Sequence, residues 1–151
     1  TEIYTLSLHD ALPISALTLW PFFASADVTI SDGWARASIL ASRPAAAYLT
    51  LTSNQSDQLV AITTPIAGNV TIHAVETGGD DVSRMVEVVA LDLPSGEPVT
   101  LAPGSMHLML MGLSEKLEEG TDLPLILTFA SGARMEISVP VLGPGAMGPQ
   151  E

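Results

Sequence analysis

Two histidines and two methionines stand where soft-metal chemistry becomes possible. His73 is followed after eleven residues by Met85, and after a further twenty-one by His107-Leu108-Met109. Thioether sulfur is soft and uncharged, and it favours Cu(I) over Zn²⁺, Mg²⁺ or Ca²⁺. Neutral imidazole also binds copper, and at neutral pH it loses no proton to do so. A set of two imidazoles and two thioethers therefore suits a monovalent ion with three or four ligands. The chain contains no cysteine. That excludes disulfides, Fe–S clusters, thiolate zinc sites and cysteine nucleophiles. It also excludes a blue-copper electron-transfer centre, which needs a thiolate. Ser105 stands near His107, but neither a G-x-S-x-G context nor a paired acid accompanies it. It reads as a turn serine, and the chain reads as a binding protein with no catalytic residue.

A plainer alternative stays open on residue types alone. A lone surface histidine is most often just polar, and methionine in an apolar strand most often fills the core. Met106, Met109 and Met111 fall within six residues and are open to the same explanation. A structural β-sandwich with incidental His and Met remains possible at this point.

The elements that must position these residues are short and extended. Strand-like segments run Asp27–Ile30, Trp34–Ala37, Ala46–Ser53, Gln58–Thr64, Asn69–Glu76, Arg84–Leu91, Val99–Leu101, His107–Leu113, Leu123–Phe129 and Arg134–Val139. Breakers separate them, among them Gly78-Gly79-Asp80-Asp81, Pro94-Ser95-Gly96, Pro103-Gly104 and Ser131-Gly132. Many short strands punctuated by turns predict an all-β sandwich or barrel. Strand side chains alternate between faces. His73 thus opposes Ile72 and Ala74, Met85 opposes Val86, and His107 and Met109 oppose Leu108 and Leu110. Each candidate ligand faces away from its most aliphatic neighbours.

At 151 residues with 47% hydrophobic content, the chain suits one domain with a sizeable core. Seventeen Asp and Glu against five Lys and Arg give a net charge of −12. Five scattered basic residues cannot neutralise a nucleic-acid backbone. The acidic surface favours solubility and attracts cations or basic partners.

Residues 1–26 are read as lying outside the native domain. Ala16–Phe23 (ALTLWPFF) followed by Ala24-Ser25-Ala26 has the pattern of a signal-peptide end cut after Ala26. The apolar run is too short to span a bilayer, which takes about 20 residues. A basic start is missing, since the first basic residue is Arg36. Tyr4–Ile14 (YTLSLHDALPI) resembles the conceptual translation of a widely used DNA-sequencing adapter, so a read artefact is expected to have replaced the true N-terminus. His9 is accordingly not counted as a ligand. A mature chain starting at Asp27 would carry 15 acidic and 5 basic residues, hence −10 (17 acids less Glu2 and Asp10). Residues 27–142 are the expected domain and 143–151 a flexible tail.

The spacing His73-x11-Met85-x21-His107-x-Met109 resembles the H(M)-x10-M-x21-H-x-M signature of the PCu(A)C family of periplasmic copper chaperones. Trp34-Ala35-Arg36-Ala37, Ala46–Leu51 and Pro103–Leu113 support the likeness, which extends from about Asp27 to Val141. The resemblance implies a cupredoxin-like Greek-key β-sandwich in the periplasm, with His73, Met85, His107 and Met109 as Cu(I) ligands. It further implies a monomer that delivers copper for assembly of the CuA centre of cytochrome c oxidase, to the oxidase subunit or alongside a Sco-type protein. A periplasmic copper-storage or resistance protein with the same ligands is the alternative. Ala74 stands where the family often has Met, on the face opposite His73. The tail holds Met147 and no His, against the His- and Met-rich extension of some relatives. Resequencing the 5′ end of the gene is expected to recover a Met start and a basic leader; intact present codons in the source DNA would refute the artefact.

Overall fold

Period-two alternation of aliphatic and polar residues yields ten strands and no helix among the described residues, 27–149 of the computed structural model. In chain order they are β1 (Val28–Arg36), β2 (Ala45–Ser53), β3 (Asp57–Thr63), β4 (Ala67–Thr77), β5 (Ser83–Val88), β6 (Leu91–Leu93), β7 (Pro98–Leu101), β8 (His107–Leu113), β9 (Asp122–Phe129) and β10 (Arg134–Leu142). The expected leader, its cleavage point and the adapter-like stretch lie outside the described residues.

One sheet runs β5-β4-β8-β2-β1, with β7 also paired to β2; the other runs β10-β9-β3-β6. A short parallel pairing of β1 with β10, Ala35 opposite Val141, joins them at one side. The expected all-β sandwich is what forms. Its interior shows why: Leu123, Leu125, Leu127 and Phe129 of β9 are buried on alternate positions. They meet Leu49 and Leu51 of β2 and Leu108 and Leu110 of β8 in one aliphatic cluster. Two sheets each apolar on one face bury both faces against one another.

Two segments differ from the sequence reading. Asp27–Ile30 and Trp34–Ala37 form one strand, β1, interrupted by a bulge between Ser31 and Trp34. Asp32 adopts a positive φ of 52° there, a conformation Asp tolerates better than most residues. Gly33 follows because a Cβ at that position would stand 2.6 Å from Cγ1 of Val139. Conversely, Arg84–Leu91 divides into β5 and β6. The chain crosses between sheets at Val89-Ala90, so β5 pairs with β4 whereas β6 pairs with β3. Periodicity does not register such a crossing, because apolar residues continue through it.

The second sheet is tied at its end by Asp57. Its carboxylate accepts from the Gln58 amide (2.8 Å), the Ser131 amide (3.1 Å) and the Ser131 hydroxyl (2.7 Å). Burial pushes the Asp57 carboxyl up, but these three donors outweigh it and hold the pKa below the ordinary value. Of the expected tail, 143–151, the described residues 143–149 are anchored by Arg36, whose guanidinium donates twice to the Ala146 carbonyl, at 2.7 and 3.1 Å.

Gly33→Ala is expected to destabilise by about 1–3 kcal/mol in urea unfolding, since the Val139 methyl sits on a packed strand; an unchanged midpoint would refute the clash. For Asp57 the depressed folded pKa means its contribution is complete above the unfolded value near ~4 and disappears as pH falls through the folded one. Wild-type and Asp57→Asn urea midpoints should therefore converge on acidification below pH ~4, and a difference that persists would refute this assignment.

Candidate metal centre

The register between β4 and β8 brings the two histidines together. Ile72 pairs with Leu108 and His73 with His107. Ile72 and Leu108 turn into the core, at 6% and 0% exposure. Parity then places both imidazoles on the outer face of the sheet. Their ring centroids are 5.9 Å apart with an edge-on angle of 67°. Sequence separation is thirty-four residues, and antiparallel pairing closes it.

Met109 lies two residues along β8 on the same face, opposite Thr71 of β4 and Ala46 of β2. Met85 occupies the same face on the edge strand β5, opposite Val75. Both methionines are therefore diagonal neighbours of His73, at roughly 7–8 Å between Cα atoms for such pairs. They flank it from opposite directions. Spacings of ~4.8 Å per strand and ~3.3 Å per residue put Met85 and Met109 roughly 16 Å apart. So the fold assembles His73, His107 and Met109 closely, with Met85 at the rim.

Exposure is graded across the site. His107 is buried and Met109 half-buried, whereas Met85 is 61% exposed. Nδ1 of His73 is shielded from solvent and has no hydrogen-bond partner among the described residues. A buried imidazole nitrogen normally finds a partner, and an ion is one group that could supply it. Among the described residues no three His, Cys, Asp or Glu side chains gather into a metal-holding group. A site of hard ligands is thus not formed here, and the donors that do converge are imidazole and thioether. That set fits Cu(I).

Sequence reasoning did not single out Thr71, opposite Met109 on β4, whose hydroxyl is likewise buried without a partner among the described residues. Nor did it mark Glu87, which pairs across from His73. Parity on β4 and β5 carried both signals, but the pairing of the strands was needed to use them. Met111 shares the face and sits opposite Asn69, one further step from the histidines. Pro103-Gly104 forms a tight turn immediately before β8. Gly104 has a φ of 84°, and the Ser105 hydroxyl donates to the Ala102 carbonyl at 3.0 Å. Ser105 is thus a turn residue.

The outer face continues across β2 and β1. Trp34 pairs with Tyr48, their rings 4.5 Å apart, and the Arg36 guanidinium lies over both at 5.8 and 5.6 Å. Together with the anchored tail this aromatic stack covers the half of the face away from β5.

Fold and site together define a β-sandwich of cupredoxin-like architecture with a soft-donor cluster on one outer sheet face. A family profile, LpqE-like ("Putative lipoprotein LpqE-like"), matches residues 28–141, and the chain belongs to that family, itself part of the PCuAC-like proteins. A protein of Leifsonia xyli subsp. xyli, "Putative lipoprotein Lxx21020", is 29% identical over 130 residues, covering 86% of this chain and 77% of its own length. The solution structure of CuI-DR1885 from Deinococcus radiodurans superposes with a TM-score of 0.53 at 27% identity, over 78% of this chain and 76% of that one. The copper-bound PCuAC domain from PmoF2 matches with a TM-score of 0.64 over 78% of this chain and 93% of that one; at 23% identity it speaks for the fold.

Proposed function

We propose that this protein is an extracytoplasmic copper chaperone, not an enzyme, carrying Cu(I) on His73, His107, Met109 and Met85. One observation carries the reading. Two imidazoles stand 5.9 Å apart on one sheet face, and a shielded ring nitrogen of one has no hydrogen-bond partner among the described residues. The thioether of Met109 on the same face supplies the softness that selects monovalent copper. DR1885, solved in its CuI form at 27% identity, supports the same cargo.

The residues divide the work of loading and release. His73 and His107 hold the ion from rigid, doubly paired strands, and Met109 caps it from the next position on β8. Met85 closes last, because β5 is an edge strand paired on one side only and its hairpin with β4 can curl inward. The hairpin turn is held by Gly78 N–H to the Val82 carbonyl at 3.0 Å. In release the order reverses. An acceptor thiolate binds Cu(I) more strongly than thioether does, displaces Met85 first, and takes the ion downhill by ligand exchange. The recipient in this proposal is the CuA centre of cytochrome c oxidase, reached through the oxidase subunit or a Sco-type protein. The family's lipoprotein names support a place outside the cytoplasm.

A Cu(I) competition titration with X-ray absorption tests this on the protein lacking residues 1–26. One ion per chain with mixed nitrogen and sulfur ligation is expected. Met109→Ala and Met85→Ala should each weaken binding by at least ~10-fold, about 1.4 kcal/mol. Met85→Ala should leave folding stability within about 0.5 kcal/mol, as an exposed position allows. Copper should also slow amide exchange in Ser83–Val88 if the hairpin closes. Oxygen-only ligation, or full affinity in both variants, would sink the reading.

A further inference from the structure

We infer that the β4–β5 hairpin is the surface on which the copper acceptor docks, and that the acceptor meets it with an apolar patch ringed by basic side chains. This rests on the chaperone reading above and specifies its partner. The hairpin extends beyond the sandwich: every residue from Val75 to Glu87 is exposed. Five aliphatic or thioether side chains are laid open along it and just past it. Val75 is 37% exposed, Val82 48%, Met85 61%, Val86 39% and Val89 83%. Val75 and Met85 pair across the hairpin on the face that carries the histidines, whereas Val86, opposite Ala74, lies on the other face; the exposed Val75–Met85 pair is the apolar centre a partner would meet.

Charge identifies the occupant. Four carboxylates, Glu76, Asp80, Asp81 and Glu87, share the hairpin with one guanidinium, Arg84. Arg84 stands 3.9 Å from Asp80 in an exposed pair, which leaves the element strongly negative. A second copy of this chain would bring the same negative hairpin against itself, so like charges oppose self-association through this face. A partner with Lys and Arg around an apolar centre matches both features, and opposite charge speeds its encounter. Docking here brings the acceptor's thiolates to Met85, the most exposed of the candidate ligands.

The test follows copper from the loaded chain to synthetic acceptor peptides. Each carries the same pair of cysteines and flanking leucines; one adds lysines, the other glutamates. A small anionic chelator serves as the docking-free control. At low salt the lysine peptide should take copper at least ~10-fold faster, with the advantage shrinking as ionic strength rises. Glu76→Gln/Asp80→Asn/Asp81→Asn should abolish the advantage. Asn keeps the turn acceptor of Asp80 and tolerates the positive φ of 59° at position 81. Removal by the chelator should be unchanged in this variant. Equal rates for both peptides, or an advantage that survives the triple substitution, would overturn the docking proposal. So would dimerisation in sedimentation that Val82→Ser abolishes. A chain that never loads Cu(I) fails at the first step, and that outcome counts against the chaperone reading itself.

Discussion

The register of β4 against β8 is the constraint from which the rest follows. Ile72 opposite Leu108 and His73 opposite His107 are successive steps of one ladder. A slip of a single residue would turn the imidazoles into the core and the aliphatic side chains out to water. Burial opposes that slip. Ile72, Leu108 and Leu110 are all but fully enclosed, and full burial of such side chains stabilises by about 1.5–3 kcal/mol each. The hydrophobic inner face therefore holds the polar donors in position on the outer face. No donor needs a dedicated hydrogen bond to be aimed.

That arrangement also separates rigidity from mobility. β8 lies between β4 and β2, and β4 between β5 and β8, so both histidines stand on strands paired along both edges. Among the described residues, β5 is paired on one edge only. An exposed edge strand is a liability for aggregation, and charged residues are a usual way of blunting it. The acidic residues of the hairpin serve that need while leaving the thioether of Met85 exposed at its rim. The opposite half of the face is stiffened by Trp34, Tyr48 and Arg36, with Arg36 also tying down the chain at Ala146. One side of the cluster is covered by the aromatic stack and the other is exposed to solvent, an asymmetry that suits the proposed transfer of an ion.

Much of the fold was legible in the residues. Alternation marked most strands within a few positions, Pro and Gly marked the turns, and absent helical periodicity excluded helices. Parity also put His73, His107 and Met109 on the face away from the aliphatic core, as the structure has it. What escaped was the bulge at Asp32-Gly33 and the crossing at Val89-Ala90. Both depend on where a neighbouring strand lies: Gly33 is demanded by a methyl of Val139, more than a hundred residues away. The unpartnered hydroxyl of Thr71 escaped for a similar reason, since nothing local to it announces burial.

By itself the sequence named the candidate donors. Without cysteine, any site built from His73, Met85, His107 and Met109 is thiolate-free, and the apolar alternation pointed to a sandwich or barrel. Only the tertiary structure decided that the donors are unequal. Strand order put His73 on β4 between Met85 on β5 and the His107–Met109 pair on β8, and it left Met85 on an exposed strand. Sequence records which side chains share a face, because alternation is local; the distance between them is decided by pairing, because that joins residues far apart in the chain.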